Sequence, residues 1–203
     1  MFCLILNVLL ISSCATQYYY AARTSYNVGP FVVGIPYRGY VSYGDNRHAG
    51  LDFDIPRGTP IIASSEGKVV DVGDPCPGKS YCGGIFISIY HGNFLSGFFT
   101  RYGHLDEVFV KYGQKVKRGQ LIGLSGSNNS GYEHLHFAVC AVNGPCPFLY
   151  SYDPNKFWLA GEPQCFDPKK DYTSYSQIDL TIPIACGEYA KELIDETKRK
   201  DLN

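Results

Sequence analysis

The sequence is short of charge, of methionine and of tryptophan, and it lacks any bias in sign. Charged residues make up 18% of the 203 residues, with 18 Lys and Arg against 19 Asp and Glu and a net charge of −1. With neither a basic excess nor an arginine-rich stripe, there is no electrostatic footprint for a nucleic-acid partner. A helical period is also missing: no twelve-residue window before Asn155 repeats its apolar residues every three to four positions. That excludes a helix bundle. The hydrophobic share of 45% excludes a disordered chain. What is present in quantity is tyrosine (17) and glycine (22), a composition suited to a β-rich fold with tight turns and a polar, aromatic groove.

Residues 1–13 (MFCLILNVLLISS) are apolar but too short to anchor stably across a bilayer. They read as the core of an export signal, although no Lys or Arg precedes the run. Ile11-Ser12-Ser13-Cys14 resembles a bacterial lipoprotein box, in which Cys14 becomes the lipidated first residue of the mature chain. A plain secretory signal and a buried N-terminal strand are the rival readings. Ala15 follows the cysteine where an inner-membrane signal carries Asp, which points to an outer membrane, facing the periplasm. Export favours disulfides for Cys76, Cys82, Cys140, Cys146, Cys165 and Cys186. Six cysteines allow fifteen pairings. Proximity favours Cys76–Cys82, Cys140–Cys146 and Cys165–Cys186, with zinc thiolates as the alternative for the two short spacings.

Four regions follow: an export signal over 1–13, a tyrosine-rich tether over 14–30, an all-β domain over 31–160 and an extension over 161–203. Within the domain, Phe31 to Ser42 opens the first sheet. Ile61-Ile62-Ala63 and Lys68 to Val72 read as two arms about a Glu66-Gly67 turn, and Gly84 to Tyr90 alternates as a central strand. Phe98 to Tyr102, Leu121 to Leu124 and Leu135 to Val139 are further strands. The extension is expected to wrap the surface through Cys186. It then ends in a short amphipathic helix, Glu188 to Lys200, docked through Tyr189, Leu193 and Ile194.

Chemistry concentrates at the histidines, of which there are five. His48 and Asp52 are four residues apart. On a straight strand they would be ~13 Å apart, so a bend at Gly50 is needed to bring both onto one ion. His134-Leu135-His136 puts two imidazoles on one strand face and Leu135 in the core. Two neutral imidazoles and a carboxylate are a sound zinc set, and a water in the fourth position makes such a site catalytic.

These motifs carry a resemblance. RHAGLDFDIPRGTPIIASSEGKVVDVG (Arg47 to Gly73), Tyr90-His91-Gly92, RYGHL (Arg101 to Leu105), YGQKVKRGQLIGLSGSNNSG (Tyr112 to Gly131) and EHLHFAV (Glu133 to Val139) resemble, in order and spacing, the lysostaphin-type or LytM-type zinc endopeptidases that cut peptidoglycan. The resemblance implies an antiparallel β-sandwich or barrel-like core with a groove between loops. It implies one zinc on His48, Asp52 and His136, with His104 and His134 as the catalytic histidines, either one the base. His91 is expected at the surface or in the groove, Asp54 in solvent, and Tyr40 or Tyr43 in range of an oxyanion. SGSNNSG stands where the family has a glycine/threonine turn. The implied partner is cell-wall peptide, with a lipid anchor to a membrane. Relatives that have lost their ligands activate other cell-wall hydrolases, and that regulator role is the alternative; here all five positions are filled. A structural or adhesive lipoprotein would need none of them.

Overall fold

In the computed structural model, residues 25–41, 47–73, 83–92, 97–141, 146, 148–172 and 179–200 are described. The export signal with Cys14, the start of the tether, Tyr43 and the Cys76–Cys82 pair lie outside them.

Eleven antiparallel strands form one sheet among the described residues. They are β1 (Tyr26–Val28), β2 (Phe31–Ile35), β3 (Leu51–Phe53), β4 (Pro60–Ile62), β5 (Gly67–Gly73), β6 (Ile85–Gly92), β7 (Gly97–Val108), β8 (Lys115–Val116), β9 (Leu121–Ser127), β10 (Glu133–Cys140) and β11 (Ser151–Tyr152). One helix, α1 (Gly187–Lys200), follows. The spatial order is β1-β2-β3-β10-β9-β7-β6-β5-β8, with β11 on β10 and β4 on β9. β7, β9 and β10 each bond to the other two, so the sheet closes on itself there.

The alternation of β6, β7 and β10 explains the core. Ile87, Ile89, Tyr102, Leu135, Phe137 and Val139 are fully buried on one face and pack with Leu51 of β3, Phe53 of β3 and Ile122 of β9. Each such side chain contributes roughly 1.5–3 kcal/mol of burial free energy. The opposite face carries the candidate site.

Three sequence expectations change. Residues 26–28 form β1, paired with β2 through Tyr26↔Val33 and Val28↔Phe31, so the chain is already in the sheet before residue 30. The two arms about Glu66-Gly67 are not a hairpin: β4 pairs with β9, while β5 pairs with β6 and β8. Residues 64–66 turn the chain away because they are tied down from elsewhere. Arg118 donates to the Ser64 carbonyl (2.6 Å) and to Ser65 Oγ (3.0 Å), and the Ser64 N–H donates to the Tyr102 hydroxyl (2.9 Å).

The extension is a surface wrap only in part: residues 161–172 are exposed or half-buried, but the stretch before Cys186 is not. Leu180, Ile182 and Ile184 are fully buried in the main core. Leu180 and Ile182 donate to the Phe157 and Gln164 carbonyls, the neighbouring Thr181 and Ala185 donate to Ser64 and Pro60, and Ile62 donates to the Pro183 carbonyl. Disulfides join Cys140 to Cys146 and Cys165 to Cys186. The second bond ties the chain just ahead of α1, whose Leu193 packs on Ile62 and Ala185.

Candidate metal centre

β10 is the strand on which the site is built, because its partners change along its length. Glu133 and His134 pair with β9, whereas His136 through Cys140 pair with β7, and His136 also faces Asp52 of β3. Asp52 and His136 are therefore directly opposed rungs of one ladder, with side chains on the same face. His104 occupies the matching fork of β7: Gly103 pairs with His136 on β10, and Leu105 pairs with Ser125 on β9. Its φ of 63° is left-handed, rare for a non-glycine residue and costing about 1–3 kcal/mol. The turn directs its ring into the fork, with the centroid 4.4 Å from that of His134 and 6.1 Å from that of His136.

His48 reaches the cluster from the bend before β3. Gly50 is needed there for a reason different from the one expected. Its φ is not left-handed; instead, a Cβ at this position would lie 2.4 Å from the Phe137 carbonyl oxygen. Glycine lets the bend lie flat on β10.

The result is a triangle of donor atoms. His48 Nε2 is 3.0 Å from His136 Nδ1 and 3.0 Å from Asp52 Oδ1, and His136 Nδ1 is 2.9 Å from the same oxygen. His48 and Asp52 are buried, while the His136 side chain keeps 14% of its surface exposed, so the site opens on that side. The ligands of a tetrahedral zinc, each about 2.0–2.1 Å from the ion, stand roughly 3.3 Å apart. Two ring nitrogens and a carboxylate oxygen this close in a buried corner are also a favourable setting for a cation between them. The donor set fits a zinc ion.

Tautomers are set by backbone carbonyls. The Nδ1–H of His48 donates to Pro36 (3.1 Å), that of His134 to Tyr132 (2.9 Å) and that of His104 to Gly83 (2.9 Å). Each ring thereby keeps a lone pair on Nε2. His134 Nε2 lies 3.6 Å from Asp52 Oδ2, the carboxylate oxygen not shared by the triangle.

Electrostatics follows from burial and proximity. Burial alone would raise the Asp52 carboxyl, but His48, His134 and His136 around it hold it well below the usual range. Burial opposes charge on His48, and the adjacent carboxylate outweighs it and raises the imidazole. Burial lowers His136, and burial with the neighbouring His134 and His136 pushes His104 down to about 3. His104 is thus a neutral imidazole at physiological pH.

His91 is not a surface or groove residue. It is 1% exposed, donates from Nδ1 to the Glu66 carbonyl (2.7 Å) and places Nε2 2.7 Å from Thr100 Oγ1. Its β6 position points into the core, and burial lowers it to about 4. Asp54 is exposed, as expected, and accepts a hydrogen bond from the Tyr132 hydroxyl. Tyr40 bridges to Arg47 and is 47% exposed.

Two residues of the site's surroundings went unread in the sequence. Phe86 stacks edge-on against His104 (5.2 Å) and lies where a Cβ on Gly103 would stand. The alternation of Gly84 to Tyr90 puts it on the site face, which was the available signal. Tyr132 stacks on His134.

Against known proteins, the model of peptidase family M23 matches residues 46–146. The peptidoglycan DD-endopeptidase ShyA of Vibrio cholerae serotype O1 is 43% identical over 101 residues, covering 48% of this chain and 21% of that protein. The uncharacterised lipoprotein YgeR of Escherichia coli K12 is 40% identical over 98 residues, 48% of this chain and 36% of that one. This chain therefore spans well under half the length of either curated relative. The catalytic domain of lysostaphin from Staphylococcus simulans is covered to 95% by 70% of this chain, at 32% identity and a TM-score of 0.50. A fold, a histidine–aspartate–histidine cluster and a near-complete overlay on that peptidase domain agree: the chain belongs to peptidase family M23.

Proposed function

We propose that the chain is a zinc-dependent endopeptidase that hydrolyses peptide bonds in the stems or cross-links of bacterial peptidoglycan. The observation that carries this reading is the 2.9–3.0 Å triangle of His48, Asp52 and His136, open on one side and flanked by two histidines with Nε2 lone pairs. Bound there, zinc would lower the pKa of a water towards neutrality and polarise the scissile carbonyl. The protein's own residues supply the proton traffic. His134, fixed on Tyr132, presents Nε2 to accept a proton from the nucleophile and return it to the leaving amine. His104, neutral and fixed on Gly83, stands beside it as a second acceptor or as a donor to developing negative charge. Similarity to ShyA, described as acting on peptidoglycan, supports the substrate class. The apolar N-terminus with Cys14, and the likeness to a lipoprotein, support an exported chain held by a lipid anchor at the outer membrane, facing the periplasm.

The test uses the purified chain, metal analysis and intact sacculi. One zinc per chain and release of muropeptides are expected. His136→Ala should lose both, and His134→Ala should keep the metal and lose turnover. Digestion by His136→Ala at the wild-type rate refutes the ligand set. A zinc-loaded wild type that releases nothing itself but stimulates another wall hydrolase establishes the regulator reading instead.

A further inference from the structure

The loop before β10, Asn128 to Tyr132, is built around one side chain. Asn128 Oδ1 accepts from the Ser130 N–H (3.0 Å), the Ser130 hydroxyl (2.6 Å) and the Tyr132 N–H (3.1 Å). The Asn128 N–H donates to the Tyr132 carbonyl (3.1 Å), and the Gly131 N–H to the Asn128 carbonyl (3.0 Å). Gly131 takes a left-handed φ of 82° that closes the turn. The backbone of Tyr132 is thereby fixed before the strand begins.

Tyr132 then touches His134 in two ways. Its carbonyl accepts the Nδ1–H of His134 (2.9 Å), and its ring stacks on the imidazole at 4.2 Å between centroids, tilted by only 22°. With His104 4.4 Å away, the His134 ring has aromatic neighbours in two directions. The far end of Tyr132 is held as well, since its hydroxyl donates to Asp54 Oδ1. Asp54 follows Phe53, which pairs with Leu135, so it lies in line with His134 across the β3–β10 ladder. Its carboxylate fills the space beside Gly34 of β2, where a Cβ would stand 2.3 Å from Oδ1.

We infer that Tyr132 is a positioning residue: tethered to Asp54 at its tip and to Asn128 at its base, it holds the His134 imidazole in the plane and tautomer that aim Nε2 at the site. The inference rests on the peptidase reading of His134. A ring stacked flat against an imidazole resists rotation about χ2, and the carbonyl bond fixes which nitrogen carries the proton. The polar turn of residues 128–131 that follows β9 becomes the mount for a catalytic side chain.

The experiment compares wild type with Tyr132→Ala, Tyr132→Phe, Asp54→Ala and the Tyr132→Phe/Asp54→Ala double variant, on a purified cross-linked muropeptide. Tyr132→Ala is expected to lower kcat by roughly 10- to 100-fold with KM little changed, because misplacement and not lost binding is the defect. Zinc stoichiometry should stay at the wild-type value. Tyr132→Phe keeps the stack, so it should restore most of the rate. It should lose no more when combined with Asp54→Ala, because both remove the same bond. A second readout needs no turnover: in the metal-free protein, the His134 Nδ1–H resonance should exchange with water about tenfold faster in Tyr132→Ala than in wild type. The inference is overturned if Tyr132→Ala leaves kcat unchanged, changes only KM, or loses zinc. It is equally overturned if the two single losses add in the double variant, or if Nδ1–H exchange does not move. A wild type without any turnover sinks the peptidase reading, and the exchange measurement then still decides the role of Tyr132.

Discussion

Gly50→Ala tests the physical basis of the candidate metal centre more sharply than removal of a candidate ligand, because it leaves all three in place. The added Cβ would stand 2.4 Å from the Phe137 carbonyl oxygen, 3.0 Å from the Phe137 carbonyl carbon and 3.1 Å from the Ala138 Cβ. Ordinary contact begins at 3.4 Å, so the bend must retreat from β10 by about 1 Å. The carbonyl cannot yield, since β10 is paired on both sides. His48 sits on the retreating segment and His136 on the fixed one. A displacement of that size exceeds by several times the roughly 0.2 Å within which metal–ligand distances are held. Zinc affinity should fall by about 10- to 100-fold, the scale seen when the supports of a metal ligand are disturbed. Overpacking should also lower stability by about 1–3 kcal/mol. Chelator competition measures the first and urea denaturation of the metal-free chain the second. Gly73→Ala is the control, since nothing lies within 4 Å of a Cβ there and its φ is not left-handed. If Gly50→Ala binds zinc within about twofold of wild type, the close approach to β10 is not what brings His48 to the ion.

Two further outcomes follow from burial. Metal-free protein should lose stability as pH falls from 6.5 towards 4. His91 and His104 stay neutral in the fold, down to about 4 and about 3, whereas the unfolded chain takes up protons near the ordinary imidazole value of 6.5. Each adds a slope of about 1.4 kcal/mol per pH unit in that window. His136, also lowered by burial, adds in the same direction; His48, raised in the fold, is protonated in both states there and adds none, and Asp52 acts only below the ordinary carboxylate value of 3.8. Urea midpoints at several pH values check this, and a His91→Gln variant with an undiminished slope refutes the assignment. Ile184→Ala should cost about 2–5 kcal/mol, because the side chain is fully buried in the main core. A loss below about 1 kcal/mol in thermal or urea unfolding would return the C-terminal segment to the surface.

The legible part of this protein was the part with a period or a fixed spacing. Alternation in Leu135 to Val139 revealed β10 with its buried side, and the i, i+2 spacing of His134 and His136 put both imidazoles on the other face. Long-range pairing was illegible. Nothing local tells Ile61-Ile62-Ala63 that its partner is β9 and not the nearby Lys68 to Val72, since the turn between them is set by Arg118 and Tyr102 from distant stretches. Leu180, Ile182 and Ile184 alternate like a strand. Prolines and two cysteines disguised the segment as a surface strap, and it is held by isolated bridges, Ile184 to Ile61 of β4 and Leu180 to Trp158, not by a continuous ladder. His91 was expected at the surface or in the groove, although the alternation that buries Ile87 and Ile89 carries it to the core side with them. Gly50 was singled out correctly, but for its dihedral freedom, whereas close approach is the real demand.

The opposed rung of Asp52 and His136 has a last consequence. Main-chain bonding, not coordination, registers the two strands against each other. Replacing the side chains at those positions would remove two candidate ligands and leave the strand pairing around them standing. A site assembled this way can gain or lose its donor atoms through a handful of substitutions while the sheet keeps its shape.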